Sequence, residues 1–317
     1  MNAPEYIGLP IGPRGKNAVT ELTGLNKAWG LLPHEVFFGL FLLVTWVRLG
    51  VVVGWLSGDA LIYLGLIVLY LAASWYGRSG TRPRRWRIGL LYYPLAMNFI
   101  FFNLKFTIPK LHPAKMDSFL SHIDSLLIGS TPSLRVETLV HPVLTEIFSL
   151  CYILFFPYLL FSLVYYFLGE LDLLKKFVIG LFTIYGLGFL GYSLVPAAGP
   201  CHALAAQYSV PLTGGWITGW NAAVVAKGSN GVDVFPSLHC AVSCFLLFFD
   251  RRHRPWRFRL YLLPCVGLWF STIYLRYHYL IDVLCGFALA AFALWLASRF
   301  PLKSYEIHAP IPGSPGR

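Results

Sequence analysis

Long runs of apolar residues separated by short polar breaks dominate the pattern along the chain. Many runs reach roughly 20 residues, the length that a helix needs to cross a hydrocarbon core of about 30 Å. The runs predict about eight membrane-spanning helices and no large soluble domain. The predicted spans are 36–56, 60–77, 89–106, 143–168, 176–196, 237–250, 259–276 and 279–299.

The composition agrees with a lipid bilayer as the solvent of this chain. Of the 317 residues, 57% are hydrophobic and only 12% are charged, which is far from the balance of a soluble domain. We therefore predict an all-α fold, a polytopic transmembrane helical bundle. The formal net charge of +11 does not indicate nucleic acid as a partner. The arginines lie in short clusters beside apolar runs, where anionic lipid headgroups and membrane topology explain them.

Arginine and lysine residues decide the predicted orientation, because short cytoplasmic loops retain positive charge. The loops after the second, fourth and sixth spans carry these residues, so both termini, residues 1–35 and 300–317, are expected on the same cytoplasmic side. Segments 107–142 and 197–236 and the turn at Tyr277 then face the periplasm, the cell exterior or a lumen. The loop residues are Arg78, Arg82, Arg84, Arg85, Arg87, Lys175, Lys176, Arg251, Arg252, Arg254, Arg257 and Arg259.

The sequence Asp233-Val-Phe-Pro-Ser-Leu-His239 ends an outward loop and opens a span. Proline followed by Ser237 is typical of a helix start, where the serine hydroxyl and free backbone N–H groups can hold an anion. His239 lies in the first turn and could give a proton to a departing oxygen. The alternative is a capped helix with an interfacial histidine, and this motif alone leaves both interpretations open.

A second histidine, His278, lies where the chain next reaches the outer face, four residues before Asp282. On a helix the two would share a face, so the carboxylate could hold one imidazole nitrogen and orient the other. Such an imidazole can attack phosphorus and form a phosphohistidine. A structural ion pair is the alternative, but a carboxylate inside an apolar span is costly, which favours a functional role. Because the charge rule places His239 on the same face, we predict that both histidines flank one phosphate, with no metal or other cofactor.

These two elements, Pro236-Ser237-Leu238-His239 and His278 to Asp282, resemble the motifs of the phosphatidic acid phosphatase type 2 superfamily. More narrowly, they are similar to the inositol phosphorylceramide synthase-like branch, whose members are inositolphosphotransferases that move phosphoinositol from phosphatidylinositol to ceramide. The resemblance implies that His278 is the nucleophile, Asp282 its orienting partner and His239 the acid for the leaving group.

The resemblance covers roughly residues 107–299, a membrane domain preceded by N-terminal transmembrane helices over 36–106, and it implies a six-helix phosphatase-like core. The chain departs from the family pattern at the phosphate clamp, because Pro196-Ala-Ala-Gly-Pro200 lacks the usual lysine and arginine and Thr272 replaces an arginine. Other groups must therefore neutralise the phosphate. The predicted phosphate- or substrate-binding residues are Ser237, Arg276, Lys105, Lys227 and His202, with Lys110 as a weaker candidate.

We predict a membrane lipid phosphotransferase, in which a phospholipid donor leaves its headgroup phosphate on His278 and a lipid hydroxyl, such as that of ceramide or diacylglycerol, collects it. If water collects the phosphate, the same site is a lipid phosphate or polyprenyl pyrophosphate phosphatase. A third interpretation is a non-catalytic lipid transporter that uses the same basic and aromatic cavity. The sequence indicates no oligomeric state.

Overall fold

The computed structural model describes residues 30–79 and 82–300, and within these ranges the chain forms helices and no strand. The predicted all-α helical bundle is therefore confirmed. The predicted cytoplasmic N-terminal segment, residues 1–35, and the predicted tail, residues 300–317, lie almost wholly outside the described residues.

The helices of the described residues follow one another through short loops. The first helix continues into a π-helical turn, Gly50–Gly54, and two 3-10 turns occur at Val136–Leu139 and Ala205–Gln207. The helices are α1 (Pro33–Leu49), α2 (Gly58–Arg78), α3 (Pro83–Leu90), α4 (Tyr92–Leu111), α5 (Asp117–Ile128), α6 (Pro132–Arg135), α7 (Pro142–Ile153), α8 (Phe155–Leu168), α9 (Leu171–Leu194), α10 (Pro200–Ala203), α11 (Trp216–Gly228), α12 (Leu238–His253), α13 (Pro255–Tyr274) and α14 (Leu280–Arg299).

Helices form at all the predicted spans, but they differ in how well they suit a membrane crossing. Helices α4, α12 and α13 do not combine enough length with enough apolar character, and α12 has only 16 residues. The number of crossings therefore stays a prediction. Within residues 30–79 and 82–300, five segments are long and apolar enough to cross a membrane: Pro33–Gly54, Gly58–Arg78, Pro142–Leu168, Leu171–Leu194 and Leu280–Arg299.

Helix α9 is the central helix of the bundle, with 78% of its most apolar stretch buried inside the protein, against 39% or less for each of the other four segments. Glycines on α9 allow this burial. A Cβ atom added to Gly186 would lie 2.8 Å from the backbone nitrogen of Phe38 in α1, and one added to Gly191 would lie 2.4 Å from Pro236. In lipid, such close backbone approach supplies much of the attraction between helices. Helix α9 thus holds α1 on one side and the start of α12 on another.

A buried ion pair joins α12 to α13 at the opposite end from His239. The Asp250 carboxylate accepts hydrogen bonds from Arg257 Nε at 2.9 Å and from the hydroxyls of Tyr158 and Tyr166. Both charged side chains are fully buried, and a charge in an apolar bundle is tolerated only when it is paired in this way. Arg257 was predicted in the loop after the sixth span. It lies instead in α13, where its ion pair with Asp250 stabilises the packing of α12 against α13.

Candidate active site

Helix α12 begins at Leu238 with Ser237 as its N-cap, whose Oγ accepts a hydrogen bond from the backbone N–H of Cys240 at 3.3 Å. This places His239 in the first turn of the helix. Its half-buried ring lies between the rings of Tyr152 and Phe155, with centroids 4.7 Å away in each case. These aromatic contacts fix the orientation of the imidazole.

His278 lies in the turn between α13 and α14, two residues before α14 begins at Leu280. The four-residue spacing predicted that His278 and Asp282 share one face of a helix. In the structure His278 precedes the helix, so its contact with Asp282 forms across the start of α14. His278 Nδ1 lies 3.5 Å from Asp282 Oδ2, and both side chains are buried. The turn is held by N–H groups of Tyr277 and His278, which donate to the carbonyl of Thr272 at 2.9 and 3.0 Å.

The hydrogen bonding of this pair is incomplete within the described part of the chain. Asp282 Oδ2 accepts the backbone N–H of Tyr279 at 2.9 Å, whereas Asp282 Oδ1 and His278 Nδ1 are buried without a hydrogen-bond partner among the described residues. Such unsatisfied buried groups are rare in folded proteins and often mark functional sites. A catalytic hydrogen bond that is long in the free enzyme commonly shortens when substrate binds.

The structure brings the two histidines together. Their ring centroids are 6.0 Å apart, with an angle of 60° between the ring planes. Reacting atoms in a productive complex lie about 3 to 3.5 Å apart, and the separation of the two ring centroids is about twice that distance. The helix starts of α12 and α14 also lie against each other, because the N–H of Ser237 donates to the carbonyl of Asp282 at 3.0 Å.

Both histidines line a cavity of about 400 Å³. The cavity wall includes polar residues, among them His202, His239, His278, Cys201 and Asp233. Its remaining wall is mostly apolar, which is the usual character of a ligand pocket. The apolar residues come from α4, which contributes Met97, Phe101 and Phe102, and from α8 and α11, which contribute Phe155, Phe156, Leu159, Val224 and Val225.

Two buried aspartates of α5 hold the backbone around the histidines. Asp117 accepts the N–H groups of Ala198 and Gly199 at 3.0 and 2.8 Å. Asp124 accepts those of Leu280 and Ile281, in the first turn of α14, at 2.9 and 3.0 Å. Burial raises the pKa of Asp124, and the two backbone donors partly oppose that rise. A carboxylate at a helix start also interacts favourably with the helix dipole.

The sequence interpretation missed these aspartates, although a signal was present. Asp117 and Asp124 are seven residues apart, which places them on one face of α5 two turns from each other. Asp233, in the cavity wall, was also missed as a functional residue; it is the only acidic residue in segment 197–236. Since the chain has only 14 Asp and Glu residues, the acidic residues of segments 107–142 and 197–236 are the signal that could have found all three.

Most of the predicted phosphate-binding residues do not line the cavity. Arg276 has a left-handed backbone, with φ of 65°. Its guanidinium stacks on Tyr208 with 3.7 Å to the ring centroid, donates to the carbonyl of Val210 at 2.6 Å and lies 3.6 Å from Glu137 Oε1. The structure therefore shows Arg276 holding the loop that contains Tyr208 and Val210.

The lysines and the remaining candidates differ in position. Lys105 and Lys227 are exposed and lie outside the cavity wall, and Lys110 pairs with Asp59 at 2.5 Å. Ser237 is buried and caps α12, so among the predicted binding residues only His202 lines the cavity. Among residues 30–79 and 82–300 there is no group of three or more His, Cys, Asp or Glu side chains that could hold a metal ion.

Comparison with known proteins agrees with the resemblance. The chain is 29% identical over 178 residues to a phosphoinositol dihydroceramide synthase from Bacteroides thetaiotaomicron, a match that covers 51% of this chain and 57% of that relative. The chain thus spans little more than half the length of the relative. No solved structure matches the chain.

The family model described as the PAP2 superfamily matches residues 118–296. This region begins in α5, ends in α14 and contains His239, His278 and Asp282. Together with the apolar helices, the match identifies an integral membrane protein. Since the match covers more than half of the 317 residues, the chain belongs to the PAP2 superfamily.

Proposed function

We propose that this protein is a lipid phosphotransferase that moves a headgroup phosphate from a phospholipid donor to a lipid hydroxyl through a phosphohistidine on His278. One observation carries the proposal: the ring centroids of His239 and His278 lie 6.0 Å apart in the wall of a cavity that is otherwise lined mostly by apolar and aromatic residues. A phospholipid has the same two-part character, with a phosphate next to long apolar chains.

In the first step His278 attacks the phosphorus of the donor. Asp282 lies beside Nδ1, so Nε2 is the nitrogen available as the nucleophile, and the carboxylate stabilises the positive ring that forms. A P–N bond forms while the bond between phosphorus and the glycerol oxygen breaks. His239 gives its proton to that departing oxygen, so a diacylglycerol leaves and the headgroup phosphate remains on His278.

In the second step the lipid acceptor collects the phosphate. Its hydroxyl gives a proton to His239, now a base, and the hydroxyl oxygen attacks phosphorus as the P–N bond breaks. Both histidines return to their starting protonation states. If water takes the place of the lipid hydroxyl, the same chemistry releases phosphate, so the alternatives differ in which acceptor the cavity admits.

The similarity to a phosphoinositol dihydroceramide synthase supports a phosphoinositol headgroup and a ceramide-like acceptor. The cavity suits such substrates because Asn98, Asp233 and several tyrosines offer hydrogen-bonding groups for a headgroup, while α4 and α8 offer apolar surface for chains. Phosphatidylinositol is therefore the first donor to test, with ceramide and diacylglycerol as acceptors.

We place this site on the non-cytoplasmic face of the membrane. The arginine-rich loops lie at the ends of α2 and α12 opposite to the histidines, and positive loops stay in the cytoplasm. A contact near these loops supports a common side: Arg87 of α3 donates hydrogen bonds to the carbonyl of Phe167, in the last turn of α8, and to that of Gly169, just after α8. The termini are then cytoplasmic.

The test uses purified protein and phosphatidylinositol labelled in its headgroup, with and without ceramide or diacylglycerol. Wild type should form a labelled lipid product. His278→Ala should lose this activity by at least about a thousandfold, and His239→Ala by about a hundredfold or more. His122→Ala, which removes an exposed histidine of α5, is the matched control and should keep it.

Other outcomes select the other functions. Release of the labelled headgroup phosphate into water, with diacylglycerol as the other product and no labelled lipid, would indicate that water is the acceptor, as in a phosphatase. Movement of lipid between leaflets without any product would indicate a transporter. Full headgroup transfer by His278→Ala would exclude His278 as the residue that carries the phosphate.

A further inference from the structure

Asp233 is the carboxylate of the cavity that contains the two histidines. It lies in the loop between α11 and α12, three residues before Pro236. Ser229 Oγ donates a hydrogen bond to Asp233 Oδ1 at 2.9 Å. Because a carboxylate has about four acceptor positions, Asp233 retains the capacity to interact with a bound molecule. Nothing in the chemistry of the two histidines uses this residue.

The cavity wall has an unusual charge for a phosphate site. Among the described residues that line it there is no lysine or arginine, and Asp233 is the single acidic residue. The nearby cations are directed elsewhere: Arg276 stacks on Tyr208, and Lys105 and Lys227 are exposed outside the wall. A phosphate between the histidines therefore meets a carboxyl group and no permanent cation from the described wall.

Negative charge on the substrate is unfavourable in such a place. In a site of low dielectric constant, each additional negative charge on phosphorus is repelled by an ionised carboxylate. Burial raises the pKa of Asp233, because the surroundings of low dielectric constant disfavour negative charge at this position. A phosphodiester carries one negative charge, whereas a phosphate monoester carries close to two at neutral pH.

We propose that Asp233 makes the site selective for phosphodiesters with one negative charge and disfavours phosphate monoesters with two. This inference rests on the proposed function, since it requires phosphorus to lie between His239 and His278. It explains how a cavity without a cationic clamp favours headgroup transfer over phosphatase activity. Asp233 is therefore a specificity-determining residue, and its removal should admit the monoester.

The test compares two reactions of the full-length protein. Transfer from phosphatidylinositol to ceramide reports on the diester, and release of phosphate from phosphatidic acid reports on the monoester. The measured quantity is the ratio of kcat/KM for the monoester to kcat/KM for the diester. At an effective dielectric constant of about 20, two unit charges about 6 Å apart change affinity about a hundredfold, so Asp233→Asn should raise the ratio about tenfold or more.

A second variant changes the charge in the opposite direction. Asn98 of α4 lines the same cavity, so Asn98→Asp adds a carboxylate and should lower the ratio about tenfold or more by the same electrostatic argument. Glu170→Gln is the control, because Glu170 is exposed at the start of α9 and makes no capping hydrogen bond. It removes a negative charge outside the cavity and should leave the ratio unchanged.

The outcomes separate this inference from the proposed function. Wild type that transfers no headgroup contradicts the proposed function. If wild type transfers the headgroup but the ratio measured for Asp233→Asn is within twofold of the wild-type ratio, only the role of Asp233 is contradicted. If Asp233→Asn does not fold, Asn98→Asp decides: a fall in the ratio supports charge selection in the cavity, and an unchanged or higher ratio overturns it.

Discussion

Asp282 contacts two groups at once, the imidazole of His278 and the backbone N–H of Tyr279. The hydrogen bond from the Tyr279 N–H orients the carboxylate, so the orientation of Asp282 does not depend on the histidine. The charge of Asp282 can therefore be separated from its structural role. An asparagine still accepts the Tyr279 N–H but offers no negative charge to a positively charged ring.

Asp282→Asn should keep the fold and lower kcat by about a thousandfold, because an uncharged amide neither stabilises the positive imidazole nor fixes its tautomer. The measurement is the rate of headgroup transfer at saturating donor. The control is Asp59→Asn, which removes the charge of a carboxylate that pairs with Lys110. A folded Asp282→Asn protein with more than a tenth of the wild-type rate would show that the charge is not needed.

The residues that sequence motifs identified and those that they missed differ for a physical reason. His239, His278 and Ser237 lie at or next to helix starts, where the local sequence determines the backbone. Arg276 is adjacent in sequence, but its left-handed backbone directs the guanidinium to Tyr208, which only the folded chain brings near. Asp233 reaches the cavity through the path of a loop, and loop paths do not follow from periodicity.

At the scale of elements, α5 braces the start of α14. Its two buried aspartates bind backbone N–H groups of two other segments: Asp117 at Ala198 and Gly199, and Asp124 at Leu280 and Ile281. Tyr279 also donates its hydroxyl to Asp117 at 3.1 Å. The turn that carries His278 is thus positioned by a separate helix.

Asp124→Ala should lower both stability and activity. It leaves two buried N–H groups of α14 without acceptors, which costs about 1 to 2 kcal/mol for a lost cap, and it loosens the turn that holds His278. We expect a lower Tm and a kcat reduced about tenfold or more, measured beside His122→Ala on the exposed face of the same helix. Unchanged Tm and kcat would contradict a bracing role for α5.

Helix α4 forms an apolar wall of the cavity although it precedes the region that the family model matches. The sequence predicted most of α4 as part of the N-terminal transmembrane helices over 36–106, outside the catalytic membrane domain, with Lys105 as its candidate for substrate binding. Apolar length predicts where a helix forms, but it does not predict which neighbour the helix will contact, because lipid and protein present similar apolar surfaces.

Phe101→Trp should raise KM for the lipid substrates about tenfold with a smaller change in kcat, because a larger ring narrows the space for apolar chains and leaves the histidines untouched. Phe99→Trp is the matched control, since Phe99 lies on the same helix, is exposed and is not part of the cavity wall. Equal effects of the two substitutions would exclude α4 from substrate binding.

On the scale of the whole molecule, the two ends of the bundle have different chemistry. One end has arginine-rich loops and the buried pair of Asp250 and Arg257, and the other has both histidines beneath α5 and α11. The apolar runs and the positions of arginine predicted this division, because both follow from the low dielectric constant of a bilayer. Neither signal predicts a cavity, which arises from the way in which several helices pack together.

The central claim is that His278 carries the phosphate during transfer, and a trapped intermediate tests it most directly. Wild-type protein is mixed with phosphatidylinositol labelled at phosphorus, without acceptor, and is quenched in alkaline detergent, because phosphohistidine is labile to acid. We predict label bound to the protein, located on His278 by mass spectrometry of peptides, lost from His278→Ala and released when ceramide is added. A labelled lipid product formed at the wild-type rate by His278→Ala, or label on another residue, would contradict the account.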